Sequence, residues 1–99
     1  VPITRKLPCV YIITNKPYGT LYIGVTSDLP QRIWQHKEGI IEGFAKRHGL
    51  KRLVWYKVFD LMEEAILREK QIKKWERKWK TDLIREPNPR WRDLYEELA

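Results

Sequence analysis

The chain has 99 residues, with 20 Lys and Arg against 13 Asp and Glu and a formal charge of +7. That length supports one domain with a modest core, and the charge points to a polyanionic partner, nucleic acid being the commonest. A single cysteine excludes an internal disulfide and a cysteine-rich zinc site, the two histidines are twelve residues apart in different contexts, and no apolar run approaches membrane-spanning length.

The opening segment from Val1 to Pro8 is too short and too broken by proline for a signal peptide. With the lone Cys9 it fits a reducing, cytoplasmic setting. Val10, Tyr11, Ile12 and Ile13, then Leu21, Tyr22, Ile23 and Val25, read as two strands around the loop signal from Asn15 to Gly19. A four-residue loop closed by Thr14 and Gly19 would set Tyr11 opposite Tyr22. Val10, Ile12, Leu21, Ile23 and Val25 then line the other face and supply core. Two adjacent phenols are either part of a site or a cross-strand aromatic pair that stabilises the hairpin.

Thr26, Ser27 and Asp28 offer helix caps and Pro30 suits the first turn, so Gln31 to Glu38 is predicted as a short helix ended by Gly39. Arg32 and His36 share one of its faces. The stretch from Ile40 to Gly49 reads as irregular or briefly helical, anchored by Phe44. Arg52 to Phe59, rich in β-branched and aromatic residues, is a third strand.

Asp60 to Glu63 has the pattern of a capping box opening the longest helix. Met62, Ala65, Ile66 and Ile72 form its apolar stripe, and Glu69 falls inside it. A carboxylate facing a sheet is costly unless a cation or a metal compensates. The competing account is an ordinary contact with Lys73 one turn on. From Arg68 to Lys80 seven basic residues stand against two acids, interleaved with Trp75 and Trp79. That face is either merely solvated or the footprint of a nucleic acid, whose contacts would be Lys70, Lys73, Lys74 and Arg77 together with Lys37 and Arg32. The two tryptophans fit core better than a base-stacking platform. Helix resumes from Thr81 to Glu86 after a break near Glu76 to Lys78, and Pro87-Asn88-Pro89 ends it. The expectation is one domain over residues 1–99, with a core from about 8 to 86 and a tail, 87–99, that packs back through Trp91 and Leu94.

Five residues in this order, Tyr11, Tyr22, Arg32, His36 and Glu69, resemble the GIY-YIG nuclease family. Its second tripeptide is literal here, Tyr22-Ile23-Gly24. The first is degraded to Cys9-Val10-Tyr11, with Cys9 in place of glycine and Val10 in place of isoleucine. The likeness to small stand-alone members runs on to the segment from Asn88 to Tyr95. It implies an α+β fold with a central three-stranded antiparallel sheet flanked by helices. It also implies a metal-dependent DNA endonuclease that hydrolyses phosphodiester bonds with one divalent ion, Mg²⁺ or Mn²⁺, held by Glu69. Tyr11, Tyr22, Arg32 and His36 fall on the family's active-site positions. The family includes the incision subunit of nucleotide excision repair, which brings DNA repair into view. With no appended recognition segment, nicking of branched, damaged or nicked DNA with little sequence specificity is the expectation. The alternative is a non-catalytic nucleic-acid-binding module of the same fold. Val25 stands where the repair branch carries a lysine, and Asn88, the only candidate for the family's late asparagine, lies far along the chain from Glu69 and reads equally as a turn residue between prolines.

Overall fold

The computed structural model describes residues 6–98, so most of the proline-broken opening segment lies outside the described residues. Strand β1 (Cys9–Thr14) is central, paired antiparallel with β2 (Leu21–Thr26) on one side and β3 (Arg52–Val58) on the other. Its six residues are completely buried. An apolar run without alternation needs cover on both faces, and here it has it. Cys9, Tyr11 and Ile13 pack with Leu29 and Ile33 of helix α1 (Leu29–Lys37), Ala45 of the short α2 (Phe44–Arg47), Leu50 and Leu98. Val10, Ile12 and Ile23 pack instead with Ala65 and Ile72 of α3 (Met62–Lys73), Ile84 of α4 (Arg77–Arg85) and Trp91. The result is the α+β arrangement predicted, one sheet between two helical layers.

The hairpin register differs from the predicted one. Tyr11 lies opposite Gly24 and Tyr22 opposite Ile13, because the loop holds six residues, 15–20, rather than four. Asn15 sustains that length: its side-chain oxygen accepts from the Thr20 N–H at 3.0 Å, while Gly19 N–H donates to the Lys16 carbonyl and Tyr18 takes a left-handed φ of 57°. The shift is by two residues, so parity is kept and every side chain stays on its predicted face. Between β1 and β3 a bulge at Ile12/Ile13 sends both Val54 and Trp55 to the α3–α4 side.

Helix α1 begins earlier than predicted, with Asp28 accepting from Gln31 N–H and Pro30 already inside the first turn. Phe44 is not the anchor of its segment. It is 42% exposed and stacks on His48, while Ala45 and Leu50 enter the core. The capping contact of α3 is one residue later than the predicted box, and only half of one. Glu64 accepts from Leu61 N–H, whereas Leu61 has no acceptor to offer in return. The apolar stripe of α3 is also narrower than predicted, since Ile66 faces solvent and only Ala65 and Ile72 are fully buried.

After α4 the chain is tied back by Asn88. Its buried amide donates to the Val54 and Arg92 carbonyls at 3.0 and 2.9 Å, and its oxygen accepts from Arg92 N–H at 3.0 Å. Trp91 follows, buried, with a left-handed φ of 55°, and the Tyr18 ring stacks on it at 4.6 Å. A 3-10 turn (Leu94–Leu98) closes over α1. No helix among the described residues is long and apolar enough to cross a membrane.

Candidate active site

Tyr11 sits in the middle of the most buried strand, and its ring lies flat across Gly24 of β2. A Cβ built on Gly24 would stand 2.5 Å from both Cζ and the hydroxyl of Tyr11. Gly24 is therefore needed for close approach and not for an unusual backbone angle. Through that gap the Tyr11 hydroxyl meets Nε2 of His36 at 2.9 Å. Tyr22, two residues back on β2, completes a triangle of rings. Centroids are 6.4 Å apart for the two tyrosines, 5.7 Å for Tyr11 and His36, and 5.9 Å for Tyr22 and His36. Register thus makes the phenols diagonal neighbours, within reach of aromatic side chains.

Helix α1 supplies two groups from one face, His36 and, one turn earlier, Arg32. Burial pushes the Tyr11 phenol up from 10.0 to about 12; the adjacent Arg32 guanidinium pulls it the other way, and the Glu69 charge adds to the rise. Burial, and then the Arg32 charge, lowers the His36 imidazole below its ordinary 6.5. Near neutral pH the pair is a protonated phenol against a neutral imidazole, a donor facing an acceptor.

Glu69 comes from the opposite helical layer, on α3, and reaches close enough to Tyr11 for its charge to count there. Its side chain is only 13% exposed and is bonded to Lys73 at 3.1 Å. The contact with Lys73 one turn on is therefore realised. Among the described residues no three His, Cys, Asp or Glu side chains gather to enclose a metal. A lone, nearly buried carboxylate does suit Mg²⁺, which is held by one or two carboxylates plus substrate phosphate and keeps much of its water.

Of the sequence-derived site residues, Tyr11, Tyr22, Arg32 and His36 are thus brought together, with the Glu69 charge felt at Tyr11 from α3. The cationic set divides. Lys70 and Lys74 are exposed on the α3 side, and Lys73 is on Glu69. Lys37 and Arg77 also have partners within the protein. Lys37 holds Asp93 and the Lys51 carbonyl, and Arg77 clamps the hairpin loop through the Tyr18 and Gly19 carbonyls at 2.8 and 2.6 Å. Asn88 is occupied with backbone partners, Val54 and Arg92. Cys9 is buried and donates to the Leu7 carbonyl, its thiol pushed up to about 11 by burial. The sequence reading gave no role to an acid-free stretch, Gly43 to Phe59, that carries Lys46, Arg47, Lys51, Arg52 and Lys57. Its signal was the missing acids, not the number of bases.

A family model described as the GIY-YIG catalytic domain matches residues 7–82. A UPF0213 protein of Staphylococcus saprophyticus is 36% identical over 77 residues, 78% of this chain and 93% of the relative. One from Clostridium perfringens is 37% identical over 75 residues, covering 76% and 80%, and one from Staphylococcus aureus is 32% identical over 77 residues, covering 78% and 93%. No solved structure matches the chain at a significant level.

Proposed function

Because this chain belongs to the GIY-YIG family of nuclease catalytic domains, we propose that it is a divalent-metal-dependent endonuclease that hydrolyses DNA phosphodiester bonds. The observation that carries this reading is the hydrogen bond between the buried Tyr11 hydroxyl and the neutral His36 imidazole, with the Arg32 guanidinium adjacent and the Glu69 charge felt at the phenol. A phenol held near 12 is a poor base by itself. With His36 behind it, it can take a proton from an attacking water while giving its own to Nε2. The water oxygen bonds to phosphorus, the bond to the 3′ oxygen breaks, and that oxygen leaves with a proton from solvent. Arg32 presents a fork of donors to the non-bridging oxygens, where negative charge grows. Tyr22, partly exposed, orients the same oxygens through its hydroxyl. Glu69 would hold one Mg²⁺ or Mn²⁺ together with a phosphate oxygen, and the ion would supply Lewis acidity. Lys70, Lys73 and Lys74 would attract the backbone without reading bases, so nicking of branched or damaged DNA in repair is the proposed setting.

A second reading, a module that binds nucleic acid without cutting it, draws on one specific observation. Tyr11 has no exposed surface and Glu69 is engaged by Lys73, so side chains must shift before either meets water or metal. Cleavage of supercoiled plasmid and of branched and linear oligonucleotides, with Mg²⁺, Mn²⁺ or EDTA, separates the two. Metal-dependent cutting that is lost in both Glu69→Gln and Arg32→Ala supports the nuclease. Retained binding with no cutting on any of these substrates supports the module.

A further inference from the structure

Part of the acid-free stretch, from Gly49 to Arg52, lies apart from the α3 lysines. It helps to build a concavity of about 310 Å³ on the α1 side of the sheet, lined by Asn15, Lys37, Gly49, Lys51, Arg52 and Asp93. One carboxylate enters it, and its charge is already answered. Asp93 binds Lys37 through one oxygen and accepts the Leu53 and Tyr95 N–H groups through the other. Two cations remain uncompensated. Lys51 is exposed and takes part in none of the ion pairs among the described residues. Arg52 uses one guanidinium nitrogen on the Trp91 carbonyl and keeps the rest of its fork. Asn15 gives its oxygen to Thr20, which leaves its NH₂ end as a donor. Gly49 keeps the rim low, with nothing within 4 Å of where a side chain would begin.

Two free cations, one amide donor and a neutralised acid in an open concavity make a site for a phosphate group. Its position connects it with the reaction. Arg52 pairs with Thr14, three residues along β1 from Tyr11, a separation of roughly 10 Å along the strand. With the backbone advancing about 3.4 Å per nucleotide, that spans about three nucleotides. We propose that this pocket is a second phosphate site, which seats the nucleic-acid backbone a few nucleotides from the scissile bond. The proposal rests on the nucleic-acid reading above and adds to it a contact on the helical layer away from the α3 lysines.

Two variants test it by equilibrium binding of a labelled duplex oligonucleotide across a salt series, in EDTA so that nothing is cut. Lys51→Glu reverses a free cation. Asn15→Asp keeps the oxygen that accepts from Thr20 but replaces the donor with a charge. Each should weaken binding about ten-fold and lower the salt slope by about one. Wild-type affinity and slope in both would overturn the pocket while leaving the nuclease reading intact. Failure of the wild-type chain to bind any oligonucleotide would remove both together. A labelled mononucleotide measured alongside separates a backbone site from one for free nucleotide. Mononucleotide binding as tight as the duplex, and lost in Lys51→Glu, would also overturn the proposal.

Discussion

Tyr11 and His36 are both held in their neutral forms by burial, which fixes the sign of two pH effects. The folded state resists protonating His36, so its stabilisation is complete above the ordinary imidazole value of 6.5 and is lost as pH falls below it. For Tyr11 the folded state resists ionisation, so stability is full below 10.0 and declines as pH rises towards about 12. Urea midpoints across pH should show both limbs, and Tyr11→Phe should shrink the alkaline one; an unchanged alkaline limb in that variant would contradict the assignment. The same substitution removes the proton path to His36 and should slow cleavage at least about 100-fold, with the pH profile altered. At Gly24 a methyl group has nowhere to go without moving a buried ring. Gly24→Ala should cost about 1–3 kcal/mol in denaturant unfolding and depress cleavage beyond what the lost stability explains.

Strands and helices were legible in the sequence to different depths. Composition marked all three strands, and parity assigned their faces correctly because a two-residue slip leaves parity intact. Loop length was not legible, since it depends on one side-chain contact, Asn15 to Thr20, that composition does not reveal. The five candidate site residues came from the resemblance of their order to the GIY-YIG family, but the triangle of rings was not legible, because the diagonal placement of the two phenols follows from that loop. The internal partners of Lys37 and Arg77 were not legible for a related reason: Asp93 and Gly19 lie 56 and 58 residues away. At this scale Asn88 has the clearest expected effect. Asn88→Ala strands two buried or half-buried carbonyls and an N–H, and should lose about 2–4 kcal/mol. Metal-dependent cleavage should survive in the fraction that remains folded.

On the scale of the whole molecule, basic groups lie on both helical layers while the phenols and the imidazole meet beside β2. Reversing Lys70 and Lys74 to glutamate should weaken DNA binding and flatten its salt dependence without shifting the unfolding midpoint by more than about 0.5 kcal/mol, because both are exposed. A large stability loss in that double variant would mean the lysines serve the fold.

Chain order gives this architecture a temporal side. Tyr11, Tyr22, Arg32 and His36 lie within the first 36 residues and are joined by hairpin and helix contacts. Glu69 arrives from α3, after a strand that must pair with β1 across some forty intervening positions. Near contacts in sequence close faster than remote ones. During synthesis, then, the phenols and the imidazole can assemble ahead of the carboxylate, and a chain interrupted before α3 carries the triangle of rings without Glu69.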